Sequence, residues 1–233
     1  MYIEWDNFLN IDILEKGVCE GKICCILVTY KNNKYVLKEV SKKMNYGKDY
    51  LIMDKCKKYF GLNDMNMNII KSNKGLVKIN TKLNRYANNC KIDTKECVYC
   101  MMNYWENIGD MRTYIDIVDD SVIYQCIKII LFNGLFLSSD NSIRNILINK
   151  KHQLLSIDED DILGKTKSIF IKSPWCKKEK FRKMLYNIIQ EFIDSKESIK
   201  KNVNNIFNKY DLKLCDQFNN RLDNYKQIIE NEL

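Results

Sequence analysis

The sequence predicts an α+β protein with a strand-rich first part, residues 1–102, and a mainly helical second part, residues 103–233. Two patterns predict this division. β-rich runs at 23–30 and 35–40 flank a short polar connection, as in a hairpin. From about residue 121 onward, apolar residues recur at helical spacing. Because no Pro-rich or Gly-rich linker separates the two parts, we expect them to pack as lobes of one unit.

The elements of the first part follow from apolar patterning and from turn residues. A short first strand is expected to end in a turn that contains Gly17 and Gly21. After the hairpin, apolar residues at helical spacing predict a helix over 49–60, and Gly61 lies where that helix would stop. A mostly apolar strand over 96–104 then leads into a polar segment, which predicts a hinge.

The second part alternates predicted helices with short strands. Apolar periodicity predicts a helix over 121–137 and long amphipathic helices from about residue 177 onward. Between them, short apolar runs predict strands at 146–148 and 154–157. The loops that precede and follow these strands are rich in Asp and Asn.

Composition excludes several classes of protein. With 45% hydrophobic and 29% charged residues, the chain is not expected to be disordered. No apolar stretch approaches the roughly 20 residues of a membrane span, and Glu4 and Asp6 are atypical of a secretory signal. We therefore expect a cytoplasmic protein. The net charge of +8 is spread along the chain without a nucleic-acid-binding motif, so a nucleic-acid partner is not expected.

Four polar residues carry the main functional signal. Lys38 lies in the second strand of the hairpin; Asp140 is followed five positions later by Asn145, and Asp158 comes thirteen positions after that. This order and these gaps resemble the catalytic-loop Asp, the catalytic-loop Asn and the metal-binding Asp of protein kinases and phosphatidylinositol kinases. The resemblance implies a bilobal protein kinase-like fold, with an antiparallel N-terminal lobe containing one helix and a mainly helical C-terminal lobe.

The resemblance also implies a reaction, namely transfer of the γ-phosphate of ATP to a hydroxyl in the presence of Mg²⁺. Asp140 would position or deprotonate the acceptor hydroxyl, and Asn145 and Asp158 would bind the metal. Lys38 would hold the phosphates. The acceptor stays open between a protein Ser or Thr, a phosphoinositide and a small molecule.

Further residues complete the predicted nucleotide site. Val36 shares a strand face with Lys38 and would line the adenine pocket, while the turn with Gly17 and Gly21 would lie near the nucleotide. Residues 97–111 resemble the kinase hinge. In this segment Met102 would guard the back of the pocket, and the backbone from Asn103 to Trp105 would bind adenine.

A carboxylate is expected to hold Lys38, because a buried cation without a partner is costly. Asp49 is preferred because its surroundings resemble those of an Asp in lipid kinases, and Asp54 on the same predicted helix is the alternative. Either Asp160 or Asp161 would assist the metal, or both are surface turn residues.

The sequence departs from the protein-kinase pattern at several positions. Ser138 and Ser139 stand where protein kinases usually have His and Arg, and Glu159 and Asp160 stand where they have Phe and Gly. The chain looks more like the atypical branch that includes phosphatidylinositol kinases and actin-fragmin kinase. The alternative hypothesis is a catalytically inactive pseudokinase that binds a protein partner as a scaffold or regulator.

Overall fold

The computed structural model describes residues 2–4, 12–16, 25–30, 32–40, 47–71, 98–138, 142–157, 159, 162–163 and 179–231. These residues form an α+β protein. The chain divides into two compact units, of which the first comprises Met1–Asp54 and Met65–Trp105. The second comprises Lys55–Asp64 and Glu106–Leu233.

The first unit is built on a six-stranded sheet with the order β1-β5-β6-β4-β3-β2. Neighbouring strands are antiparallel, except that β1 and β5 are parallel. The predicted hairpin is confirmed as β3 and β4, with Asn32 in the connection at a φ of 63°. The strands are β1 (Tyr2–Glu4), β2 (Asp12–Lys16), β3 (Cys25–Tyr30), β4 (Asn33–Val40), β5 (Asn68–Lys71) and β6 (Val98–Asn103).

The predicted helix between the hairpin and β5 is confirmed as α1 (Lys48–Lys57), continued by a 3-10 turn, Lys58–Phe60. Gly61 ends it as predicted, with a left-handed φ of 65° and an N–H that donates to the Lys58 carbonyl at 3.3 Å. Glycine suits this position because it lacks a β-carbon. The division between the two units falls within α1, after Asp54.

The second unit combines a small antiparallel sheet, ordered β7-β8-β9, with six helices in its described part. The predicted helix over 121–137 is confirmed as α3, and Asp119 caps it by accepting the N–H groups of Ser121 and Val122. The two predicted short strands are confirmed as β8 and β9. The elements are β7 (Gly109–Asp110), α2 (Met111–Tyr114), α3 (Asp120–Leu135), β8 (Ile146–Ile148), β9 (Leu154–Ser156), α4 (Glu179–Asp194), α5 (Lys196–Lys209), α6 (Cys215–Asp223) and α7 (Tyr225–Glu230).

Aromatic side chains form much of the core of the second unit. Phe60 lies edge-on to Phe132 and to Phe192, with ring centroids 5.0 Å apart in both pairs. Phe136 stacks on Phe218 of α6, also at 5.0 Å. Such pairs add to the stability that burial provides, and they join the 3-10 turn after α1 to the helices of this unit. None of the helices in the described ranges has the length and apolar character needed to cross a membrane.

Candidate functional site

Lys38 is a buried lysine in the interior of the six-stranded sheet. Its strand, β4, lies between β3 and β6, so that Lys38 is opposite Cys25 on one side and Cys100 on the other. Only 5% of the residue is exposed, although lysine is almost never fully buried unless it is paired. The ordinary role of a hairpin lysine, which is to cover an exposed strand edge, is therefore excluded for Lys38.

Tyr50, in the first turn of α1, contacts the amine of Lys38. The Lys38 Nζ donates to Tyr50 Oη at 3.0 Å and lies 4.3 Å from the centroid of the tyrosine ring. Tyrosine offers a cation both a hydroxyl acceptor and the electron-rich face of its ring. Helix α1 therefore does hold Lys38, through a residue that the sequence prediction did not include.

The structure places the two carboxylates that are alternatives for orienting Lys38 in different surroundings. Asp54 is 2% exposed, and both of its oxygens accept backbone N–H groups, from Met65 at 2.7 Å and from Met67 at 2.8 Å. Asp54 thus supports the chain that leads into β5. Asp49 lies half-buried in the first turn of α1. Which of the two carboxylates orients Lys38 stays a prediction.

Cys100 places a neutral thiol next to Lys38. Burial raises the pKa of the Cys100 thiol to about 12; Lys38 opposes this rise and Asp54 adds to it. The thiol is therefore protonated at neutral pH, and its pKa argues against a role as nucleophile or metal ligand. It makes a weak hydrogen bond to the carbonyl of Gly47, at 3.8 Å.

Gly47 lets the chain pass close to Cys100 immediately before α1. It has a φ of 78°, and a β-carbon there would lie 2.5 Å from Cys100 Sγ and 3.0 Å from Val40.

We expect Gly47→Ala to lower the free energy of unfolding by about 2–4 kcal/mol, because left-handed strain adds to overpacking. Gly61→Ala is the control: its φ is 65°, but the nearest atom is Lys128 Nζ at 3.7 Å, so only the left-handed strain of about 1–2 kcal/mol is expected. Urea denaturation followed by circular dichroism measures the unfolding free energy of both variants. Equal losses of unfolding free energy would show that a β-carbon at position 47 is not crowded.

Two residues of the predicted adenine pocket lie side by side with Lys38. Val36 on β4 is directly opposite Met102 on β6, one step along the same strand face from the Lys38 and Cys100 pair. Met102 is buried and Val36 is half-buried. The structure therefore brings together Val36, Lys38 and Met102, which the sequence predicted to share one pocket.

Two backbone N–H groups that follow Met102 already donate hydrogen bonds within the first unit. The N–H of Asn103 donates to the Met65 carbonyl, and the N–H of Tyr104 donates to the Lys34 carbonyl, both at 2.9 Å. Any hydrogen bonds from this segment to adenine would therefore come from carbonyl groups or from Trp105. Contact of Asn103 and Trp105 with adenine stays a prediction, and it would not involve the N–H groups of Asn103 and Tyr104.

In the second unit, the predicted catalytic loop begins where α3 ends. The N–H of Ser138 donates to the Asn133 carbonyl at 3.0 Å, and the N–H of Leu137 donates to the Gly134 carbonyl at 3.1 Å. This is the Schellman arrangement, and Leu137, with a φ of 51°, occupies the left-handed position that glycine usually takes. The chain therefore leaves α3 at Ser138 in a defined direction.

Asn145 ends a 3-10 turn, Ile143–Asn145, that leads directly into β8. The residue is buried, and its carbonyl accepts the N–H of Ile157 at 2.8 Å. Because Ile157 precedes Asp158 in the sequence, this bond brings Asn145 next to the residue that adjoins the second predicted metal ligand. The β8–β9 hairpin makes this possible by returning the chain to the start of β8.

A buried ion pair holds Glu159, on the other side of position 158. Lys57 and Glu159 are 0% and 1% exposed, and the Lys57 Nζ lies 2.7 Å from Glu159 Oε2. The same amine donates to the Ser156 carbonyl at 2.8 Å, and the Ser156 hydroxyl donates to Glu159. Asn63 adds a hydrogen bond to the Leu154 carbonyl at 2.8 Å. Residues 55–64 therefore contact both β9 and Glu159 and keep both in place.

The described site residues are distributed over both units. Val36, Lys38, Asp49, Met102, Asn103 and Trp105 belong to the first unit and Asn145 to the second. The predicted residues that lie outside the described part of the chain are Gly17, Gly21, Asp140, Asp158, Asp160 and Asp161. Within the described ranges, no three His, Cys, Asp or Glu side chains are grouped so that they could hold a metal ion.

Sequence reasoning missed Tyr50, Lys57 and Glu159. A signal existed for Lys57, because Met53, Lys57 and Phe60 are at i, i+4 and i+7 and therefore share the buried face of α1 and its continuation. A charge on such a face requires a buried partner. No local pattern could identify Glu159 as that partner, since it lies about a hundred residues further along the chain.

Each unit offers one chemical capacity among its described residues. In the first unit, the buried amine of Lys38 is a group that can bind anionic oxygens such as those of phosphates. In the second unit, Asn145 is a buried amide, and amide oxygens suit a hard divalent cation. No protein-family model matches the chain, and no curated protein matches it in sequence.

Proposed function

We propose that the protein is an ATP- and Mg²⁺-dependent phosphotransferase with a bilobal kinase-like fold, of the atypical branch that its sequence resembles. It would transfer the γ-phosphate of ATP to a hydroxyl of a protein Ser or Thr or of a phosphoinositide. The observation that carries this proposal is the burial of Lys38 on β4, with its amine held by Tyr50.

Burial of Lys38 supports a phosphate-binding role because desolvation of an ammonium group is costly. A surface role would have left the amine in water. β4 is also the third strand of the antiparallel run that begins with β2, and protein kinases carry their phosphate-binding lysine on the third strand. The apolar Val36 and Met102 beside it suit the planar, weakly polar adenine ring.

The second unit supports the metal-binding part of the proposal. Asn145 is buried at the end of a turn and is tied through its backbone to Ile157, while Glu159 is anchored by Lys57. These contacts restrain the two residues that flank Asp158 in the sequence. Asn145 and Asp158 would hold Mg²⁺, which when bound neutralises charge on the phosphates. Asp140 would accept the proton of the attacking hydroxyl.

Replacing Asp158 with alanine tests the proposal directly. We expect the wild-type protein to hydrolyse or transfer phosphate from ATP only with Mg²⁺, and Asp158→Ala to lose this turnover while keeping its circular dichroism spectrum. Asp216→Ala, which removes an exposed carboxylate on α6, is the matched control and should retain turnover. Radiolabelled ATP offered with separate protein, lipid and metabolite pools identifies the acceptor. Full turnover in Asp158→Ala would refute the metal role.

A thermal-shift measurement separates the proposal from the pseudokinase alternative. A ligand that binds only the folded state at a hundred times its Kd stabilises by about 2.7 kcal/mol, which for this size of chain raises the melting temperature by about 5–10 °C. We expect this shift with ATP plus Mg²⁺, and a smaller one with either alone. Absence of both the shift and the turnover would favour a scaffold or regulator.

A further inference from the structure

Two leucines with left-handed backbone flank the predicted catalytic and metal-binding residues of the second unit in the sequence. Leu137 has a φ of 51° and Leu163 a φ of 52°, a conformation that costs energy for any residue with a β-carbon. Leu137 lies three residues before Asp140, and Leu163 lies five residues after Asp158. The N–H of Leu163 donates to the Phe136 carbonyl at 2.7 Å, so the two segments are joined. Strained backbone persists only where its surroundings hold it, and it is frequent at functional sites.

Arg221, on α6, holds the first of these segments. Its Nε donates to the Leu135 carbonyl and its Nη2 donates to the Gly134 carbonyl, both at 3.0 Å. Carbonyls in the last turn of a helix need partners from outside the regular hydrogen-bond pattern. A cation is also favoured at the negative end of the helix dipole. Arg221 therefore restrains the last turn of α3, immediately before the left-handed Leu137.

Gln217, four residues earlier on the same face of α6, holds the second segment. Its Nε2 donates to the Leu163 carbonyl at 3.3 Å. Phe218 stacks on Phe136 with ring centroids 5.0 Å apart. Helix α6 thus contacts both the end of α3 and the segment at Leu163, which follows Asp158 in the sequence. These two segments are also joined to each other by the hydrogen bond from Leu163 to Phe136.

We propose that Arg221 and Gln217 are positioning residues for the proposed reaction: they hold the end of α3, which precedes Asp140 by a few residues, and the backbone at Leu163, which follows Asp158, on one helix. This inference rests on the proposed phosphotransfer, and it assigns a role in that reaction to the C-terminal helices, which the sequence left without one. Arg221 and Gln217 act through the backbone of α3 and Leu163.

The test compares Arg221→Met with Arg221→Lys and with a control in the same helix pair. Lys200→Met removes the ion pair between Lys200 on α5 and Asp223 on α6, at 2.7 and 2.8 Å, without touching α3. Steady-state kinetics give kcat and the KM for ATP. Hydrogen–deuterium exchange of peptides spanning residues 134–145 measures how firmly the chain is held at the end of α3, whether or not the protein turns over ATP.

We expect Arg221→Met to lower kcat about tenfold to a hundredfold, since a small misplacement of reacting groups costs this much, with the KM for ATP changed less than about twofold. Exchange in 134–145 should rise at the same time. Arg221→Lys should be intermediate in both measurements, and Lys200→Met should equal the wild type. A merely stabilising contact would lower the melting temperature of Arg221→Met and leave kcat per folded molecule unchanged.

The outcomes distinguish the two proposals. Wild-type turnover with an unchanged kcat in Arg221→Met would overturn the positioning role and leave phosphotransfer standing. If the wild type has no turnover, the proposed phosphotransfer is wrong. In that case the exchange measurement tests whether α6 restrains the end of α3. Faster exchange in 134–145 confined to Arg221→Met would support this restraint, and unchanged exchange would overturn it. If Arg221→Met does not fold, Arg221→Lys and Gln217→Ala undergo the same measurements.

Discussion

Replacing Lys57 with methionine is expected to lower the free energy of unfolding by about 3–5 kcal/mol, as when one partner of a buried ion pair is removed. Methionine keeps the volume and the apolar stem, so the loss comes from charge and hydrogen bonding. Glu159 would keep a buried negative charge without its cation, and the Ser156 carbonyl would lose its donor. Urea unfolding followed by circular dichroism measures the loss.

Two further variants identify the cause of that loss. Lys180→Met removes an exposed ion pair with Asp120 in the same unit and should change stability by less than about 1 kcal/mol, because water screens such pairs. Lys57→Met combined with Glu159→Met removes both buried charges and should recover a large part of the stability lost in Lys57→Met alone. If Lys57→Met were as stable as Lys180→Met, the buried pair would have no energetic importance.

Replacing Lys38 with methionine is expected to lower the kcat of Mg²⁺-dependent ATP turnover by about 10²–10³-fold, the loss typical when a preorganised charge or donor at the reacting group is removed. The physical reason is that the ammonium group, already desolvated in the sheet, would neutralise negative charge that develops on the phosphates. Methionine fills the same space among the buried neighbours of Lys38, so the first unit should stay folded.

Lys34→Met is the matched control for Lys38→Met. Lys34 lies on the same strand, but it is exposed and its Nζ lies 5.7 Å from the centroid of the Tyr104 ring. Its replacement should leave kcat unchanged within about twofold, since an exposed charge contributes little. Melting curves of both variants verify folding. A Lys38→Met protein that folds and turns over ATP at the wild-type rate would remove the basis of the proposed function.

The residue that follows Asp158 has a structural role that the sequence analysis did not predict. Glu159 departs from the protein-kinase pattern that the sequence resembles, in which an apolar residue follows the metal-binding Asp. In the structure its carboxylate is buried and paired with Lys57. An ion pair thus anchors this position to the end of α1, and the departure does not by itself indicate a lost site.

Elements with strong local patterns were predictable from the sequence. The β3–β4 hairpin follows from two β-rich runs around asparagines, and the end of α1 follows from Gly61, whose left-handed φ few other residues adopt readily. Helix α3 follows from apolar spacing. The apolar spacing that predicted long helices from about residue 177 onward was less informative: Phe218, Leu222, Tyr225 and Ile229 follow one such spacing, but the first two lie on α6 and the last two on α7. A continuous apolar face does not reveal a break between helices.

The amino-acid order alone was enough to predict the α+β class, the main strands and helices, and the series Lys38, Asp140, Asn145 and Asp158, because all of these depend on neighbouring or evenly spaced residues. The burial of Lys38 against Tyr50, the ion pair of Lys57 with Glu159 and the contact of Arg221 with the end of α3 became visible only in the folded chain. These contacts join residues far apart in the chain, and a charged residue carries no local mark of the partner that burial will give it.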